Sequence, residues 1–348
     1  MKRWTHRPPG SNWGDFGDDD ELGRINLLTP ERVVAAVREV QVGKVFCLSL
    51  PLDLPGGNVL NPRRHPPRTF ATARGNGQAN FNFLLRLLDP RQIDMISDDA
   101  VLMALQYSTQ WDSFAHVGAL FDADGDGVPE PVYYNGFRAG EDVITPAFSR
   151  GPVDWCCNEG VQARKMGIET MAAACVQGRG VLIDLHAVAG RARKLIGWDD
   201  LKAAMDSQKV VVEPGDMVCL WTGFDQVIIE QKGKPSAESL HGSCAALDGH
   251  DERIQQWVTD SGMVALISDN YAVEQTPAVP PSGDGTYPSL PLHHHCLFKL
   301  GVHLGELWYL AELAAWLRAN GRNRFLLTAP PLRLPGAVGS PSTPVATV

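Results

Sequence analysis

Three short apolar runs constrain this chain more than any other feature: Val181–Leu185, Met217–Thr222 and Met263–Asp269. Each is bounded by glycine or proline and reads as a buried strand. The segments between them, Trp198–Ser207 and Asp251–Ser261, have helical apolar spacing. Strands and helices therefore alternate, the pattern of an α/β architecture with a central mixed sheet flanked by helices. Upstream, Thr29 and Pro30 cap and open a helix running to about Val40 and ended by Gly43. Lys44–Leu54 reads as a strand. The Pro/Gly/Arg-rich stretch from Pro55 to about Asn80 reads as a lid or a subunit contact. Pro335–Val348, rich in Pro, Ser, Thr and Gly, reads as a flexible C-terminal tail or an arm. With no repeat and no linker, residues 1–334 are expected to form one domain, an N-terminal extension 1–43 preceding a core of about 44–320.

Charge removes several function classes. Lysine and arginine total 31 against 40 acidic residues, a net charge of -9, and no basic stripe stands out. Nucleic acid is therefore not expected as a partner. No run approaches the roughly 18 apolar residues of a membrane span, and no secretory pattern follows Met1. The seven cysteines are scattered without C-x-x-C spacing, as reduced thiols in a cytoplasmic protein would be.

Chemistry concentrates in Gln106–His116. An extended backbone would project Gln106, Ser108, Gln110 and Asp112 from one face and Tyr107, Thr109 and Trp111 from the other. Two amide oxygens and a carboxylate can hold a divalent cation when other ligands join them. His116, just beyond, has the side chain best suited to take a proton from water near pH 7. The residues alone leave a second reading open, a polar face turned to solvent.

The same segment resembles the H-x-G-T-H-x-D-x-P-x-H signature of the cyclase family of metal-dependent hydrolases, which includes bacterial kynurenine formamidases and isatin hydrolases. Thr109, Asp112 and His116 stand in register, Gln106 and Gln110 replace two histidines, and Phe114 replaces the proline. That double replacement resembles the Q-x-x-x-Q-x-D-x-x-x-H branch typified by the zinc-dependent trans-dienelactone hydrolase. Downstream, Glu213–Gly223 resembles the family's P-G-D-x-V-x-x-x-T-G strand, and Ser268–Glu274 its S-D-N/T segment. His294 and Glu306 are spaced as its late histidine and glutamate are, the glutamate opening the last helix. The resemblance spans about Asn12 to Arg318. It implies a swivelling β/β/α fold, a dimer or tetramer, metal ligands Gln106, Gln110, Asp112, His294 and Glu306, and His116 as acid/base.

The implied reaction is hydrolysis of an amide or ester, such as an aryl formamide, cyclic amide or lactone. Oxygen donors shift preference toward manganese, and zinc also fits. Trp111, Phe114, Trp155 and Trp221 suggest an aromatic small-molecule substrate, or else core packing. Two other functions stay open: a binding protein that has lost strong metal affinity, and a metal-dependent lyase or dehydratase. Asp122-Ala-Asp124-Gly-Asp126-Gly127 starts like a calcium loop, but Tyr133 stands at the twelfth position and the segment reads as an acidic surface turn. Cys244 beside His241 reads as a small buried residue, and Cys156-Cys157 as structural.

Overall fold

The computed structural model describes residues 3–145, 160–282 and 284–348; Trp155, Cys156 and Cys157 lie outside them. Among the described residues one large sheet is built from β1 (Val45–Cys47), β2 (Gln110–Asp112), β3 (Gln177–Asp184), β4 (Met217–Trp221), β5 (Ala265–Ser268), β6 (His303–Glu306), β7 (Arg324–Thr328), β8 (Gly339–Pro341) and β9 (Val345–Thr347). Their order is β1-β9-β7-β3-β4-β5-β6-β2-β8. The centre, β3 to β6, is parallel and the flanking pairs are antiparallel.

The central strands are apolar throughout because both faces are covered. Val181, Ile183, Val218, Leu220, Leu266 and Leu304 enter one core with Leu201 and Ala204 of the helix Trp198–Gln208 and Ile254 and Val258 of the helix Glu252–Ser261. Leu182, Cys219, Trp221, Ala265 and Ile267 enter the other, with Leu313 and Leu317 of the helix Ala311–Ala319. The helix Pro30–Val37 is capped by Thr29 as expected and stops three residues short of Val40. The N-terminal stretch is anchored on the first core, where Trp13 is fully buried and its indole donates to the Phe298 carbonyl at 2.7 Å. No described helix is long and apolar enough to cross a membrane.

Residues 335–348 correct the expectation of a loose tail. They supply both β8, at one edge of the sheet, and β9, next to the other edge. Seven strand positions separate β8 from β9 in the sheet order, about 34 Å in a flat sheet. Only Ser342, Thr343 and Pro344 connect them, a reach of about 14 Å. The sheet must therefore curl until its edges meet, and the linker is tied to both: the Ser342 amide donates to Thr109 and the Pro344 carbonyl accepts from Leu48. The composition suggested disorder because proline and serine cannot extend an interior ladder freely; here they sit at an edge and a crossing, where strands tolerate them.

Ala346 is fully buried between β1 and β7. Ala346→Asp should therefore destabilise the protein by more than about 3 kcal/mol in a chemical denaturation experiment, the cost of burying an unpaired charge. A change below about 0.5 kcal/mol, typical of surface positions, would return these residues to the status of a tail.

Candidate metal centre

The site is set by strand register. In the antiparallel ladder of β2 with β6, Asp112 faces Leu304, Trp111 faces Gly305 and Gln110 faces Glu306. Facing residues project to the same side and neighbours alternate, so Gln110, Asp112 and Glu306 share one face. Trp111 takes the other, edge-on to Trp308 at 5.0 Å. Only Gln110–Asp112 is strand; Gln106 reaches the site from a turn closed by the Tyr107 amide on Ala104, not from an extended segment. A second turn, His116 amide to Ser113, brings His116 back so that its Nε2 lies 3.9 Å from Asp112 Oδ1.

Asp112, His293 and Glu306 bring one donor atom each within 4.8 Å of one another, all buried. His293 lies between two carboxylates: Nδ1 is 2.8 Å from Glu274 and Nε2 is 3.1 Å from Glu306. Burial opposes a charge on its ring, but these two partners win and push its pKa up to about 10. Burial, with Asp112 beside it, raises the Glu306 pKa. Gln110 donates to Glu306 at 3.2 Å and to Asp112 at 3.4 Å.

Two oxygens in this cluster, Asp112 Oδ2 and Gln110 Oε1, are buried with no hydrogen-bond donor among the described residues. Leaving such groups unpaired costs about 1–3 kcal/mol each, more for a charge. A cation is the partner that satisfies two acceptors beside two crowded carboxylates at once, so the donor set fits a divalent ion. His293 fits as a ligand through Nε2 once Glu274 holds the proton on Nδ1, the usual arrangement of a carboxylate behind a metal-binding histidine.

His294 does not belong to this cluster. Its ring packs against Phe298 at 4.9 Å and lines a neighbouring groove with Leu120 and Phe121, and burial lowers its pKa to about 4. His295 turns away again, to the Gln255 carbonyl and the Thr259 hydroxyl. The three imidazoles sit on consecutive residues where the helix Pro291–His293 passes into the π-helix His294–Leu300. Successive side chains there point in different directions, so one alone can face the site. Glu274 selects His293, because its carboxylate also accepts the amides of Leu292 and His293. The signal in the sequence that points to Glu274 is its place six residues beyond Ser268, which ends β5. Glu306 ends a strand and does not open the last helix, which begins at Ala311 under the carboxylate of Asp225.

A cavity of about 440 Å³ opens over the cluster, lined by Gln106, His116, His293 and Glu306 together with Arg64, Tyr107 and Tyr271. Of the aromatic residues picked out in the sequence, Trp155 lies outside the described residues, and Trp111, Phe114 and Trp221 are not part of it. Trp111 and Phe114 are buried, Phe114 stacked on His303 at 4.0 Å, and Trp221 packs beside His186. Cys244 is buried and its thiol is pushed up to about 12 by burial, as a structural residue's would be. In the acidic turn, Asp122 is satisfied by the amides of Gly125 and Gly127, and Arg138 pairs with Glu130 and lies 3.7 Å from Asp124.

A family model described as putative cyclase matches residues 48–275. Among solved structures, a novel cyclase superposes with a TM-score of 0.73 at 30% identity, over 99% of this chain and 100% of its own. Isatin hydrolase A from Labrenzia aggregata, bound to benzyl benzoate, gives 0.53 at 15% identity over 91% and 98% of the two chains. Isatin hydrolase A from Ralstonia solanacearum gives 0.53 at 14% over 91% and 97%. These two share the curled mixed sheet flanked by helices. A search of curated proteins finds no match.

Two predictions follow from the geometry. His293→Ala should abolish stoichiometric metal binding measured by elemental analysis while His294→Ala retains it; the reverse pattern would restore His294 as the ligand. Gly339 faces Asp112 across β8 and β2, and a Cβ there would run into the amide end of Gln106, with Cδ at 3.0 Å. Since a flexible side chain can move aside, Gly339→Ala should leave the melting temperature within a few degrees, about 1 kcal/mol, yet weaken metal affinity by displacing Gln106. Unchanged affinity would remove Gln106 from the site.

Proposed function

The chain belongs to the cyclase family, and from that premise we propose that it is a metal-dependent hydrolase of an amide or ester bond, linear or cyclic, in which His116 moves the proton. One observation supports this most: a buried, oxygen-rich cluster with two undonated oxygens lies behind a small cavity that its Glu306 and His293 line together with the imidazole of His116. The fold shared with two isatin hydrolases makes hydrolysis the natural reaction class. Asp112, Gln110, Glu306 and His293 would hold the ion, with Gln106 beside them. A divalent cation there supplies a Lewis acid for the carbonyl and lowers the pKa of a water. Four oxygen donors against one nitrogen favour a hard ion such as manganese, and zinc is the alternative.

His116 has the properties of the base. Burial lowers its pKa, Asp112 opposes, and the charges of His293 and Arg64 lower it further. Its ring is therefore neutral at pH 7, able to accept a proton from water and return it to the leaving nitrogen or oxygen. Asp112 holds it from one side without neutralising its role. Glu274 orients His293, and Leu60, Leu290 and Leu307 give the cavity apolar walls. Tyr107 and Tyr271 line it as well.

Self-association belongs to the same reading. The stretch expected as lid or contact divides in the structure. Pro55–Arg64 lines the cavity, whereas Arg68–Ala71 pairs with Asp99–Leu102 and carries exposed Phe70; beyond the stretch, the segment joining Phe83–Leu84 to Met95–Ile96 carries exposed Leu87, Leu88 and Ile93. A second copy covering that apolar surface is what we propose.

The test combines metal content with turnover of aryl formamides, isatins and lactones. Wild type should carry manganese or zinc and Asp112→Ala neither. His116→Ala should keep the metal but lose about 100-fold or more in kcat/KM. Because the base must be neutral, the rate should fall as pH drops through the His116 pKa, which lies below its ordinary 6.5. That acid limb should be missing in His116→Ala. A wild-type protein that takes up neither ion would sink the reading.

A further inference from the structure

Two guanidinium groups in the cavity have no part in the reaction just described. Arg63 and Arg64 both line it, in the company of Gln106, His116 and Glu306. Arg64 is half-buried and donates one N–H to the Gln106 carbonyl at 2.8 Å. A guanidinium has five donors in a planar fork, so most of its capacity is unspent. Neither arginine pairs with a carboxylate among the described residues. Arg24, likewise without a carboxylate, spends its guanidinium on the carbonyls of Val258, Thr259 and Met263, whereas Arg64 has the Gln106 carbonyl.

The acidic groups of the site are already engaged. Glu274 is taken up by His293 and two backbone amides, and Asp112 and Glu306 face the metal centre. Arg64 nonetheless shares the wall of the cavity with His116 and Glu306, at its reacting end. An anionic group beside Arg64 would therefore lie in the same small chamber as the base.

We propose that the substrate carries a carboxylate, gripped by the Arg64 fork with Arg63 at the rim, so that its class is an amide, ester or lactone bearing a free acid group. The nature of the bond cleaved rests on the hydrolase reading above; the anion site does not. A carboxylate suits the place better than a phosphate. It is planar and matches a guanidinium edge to edge, and its single charge is less repelled by Asp112 and Glu306 than a dianion. The leucine and tyrosine walls would cover a flat apolar body while the acid group is held.

The experiment compares formanilide with its ortho-, meta- and para-carboxylated forms on the metal-loaded full chain. At least one carboxylated isomer should exceed formanilide in kcat/KM by about 10- to 100-fold, the factor that a hydrogen bond to a charged group supplies. In Arg64→Gln the ratio should fall toward unity whatever happens to the absolute rates. A merely structural role, exercised through the Gln106 carbonyl, would lower both rates alike and leave the ratio intact. Arg64→Lys, which keeps the charge without the fork, should fall between. Calorimetry with benzoate and phenyl phosphate gives a readout without turnover: benzoate should bind to wild type, more weakly to Arg64→Gln, and more tightly than phenyl phosphate. If formanilide is cleaved and no carboxylate improves it, the proposal is overturned and the hydrolase reading stands. If no formanilide is cleaved but benzoate binding depends on Arg64, the anion site stands and the choice of reaction fails. Benzoate binding that ignores Arg64, or preference for the phosphate, overturns the proposal.

Discussion

Glu306 lies opposite Gln110 in the ladder between β6 and β2, and the rest of the site depends on that pairing. It puts a carboxylate, an amide and, two residues along, a second carboxylate on one face of a buried sheet. A slip of one residue would exchange them for Trp111, whose indole is fixed on the other side by Trp308 and by its bond to the Ala329 carbonyl. The indole thus locks the register from behind while the acidic groups face forward. Two crowded carboxylates in a buried place are tolerable only with a compensating charge. In the structure His293 provides one, and the undonated oxygens mark where a metal would provide more.

Around this core each supporting residue has an identifiable partner. Glu274 accepts two amides at the start of the helix that carries His293, so the same carboxylate that orients the ring also fixes its backbone. Asp225 plays the matching part at the start of the last helix, accepting the amides of Leu310 and Ala311. The Thr109 hydroxyl accepts from the Leu50 amide and donates to the Leu307 carbonyl, joining the chain on either side of the cavity. Arg64 and Tyr107 then tie the 55–64 segment to the floor, Arg64 through the Gln106 carbonyl and Tyr107 through Gly56 and Gly57.

Three strands of the parallel centre, β3, β4 and β5, were legible in the sequence because a strand covered on both faces is a continuous apolar run, and the helices between them because their apolar spacing is regular; β6, with His303 and Glu306 in it, was not. Asp112, Gln110 and Glu306 were legible as a group only through the resemblance, since residues nearly 200 positions apart meet by register and not by spacing. The choice among His293, His294 and His295 was not legible. Three identical side chains carry no pattern, and what distinguishes them is Glu274, brought in from another element. The role of the C-terminal stretch was hidden for a related reason: Gly339 and Pro341 have poor strand propensity, and their pairing is imposed by β2 and not by their own preference.

That stretch also ties the site to the closure of the sheet. Ser113 bonds to Val338, a residue 225 positions later, and Gly339, which makes room for the Gln106 amide, follows at once. The stretch joins the strand that carries Asp112 to the opposite side of the sheet, and the sheet cannot curl shut without it. A chain lacking residues 338–347 would leave β2 without one of its two ladder partners and the Gln106 amide without the glycine that makes room for it.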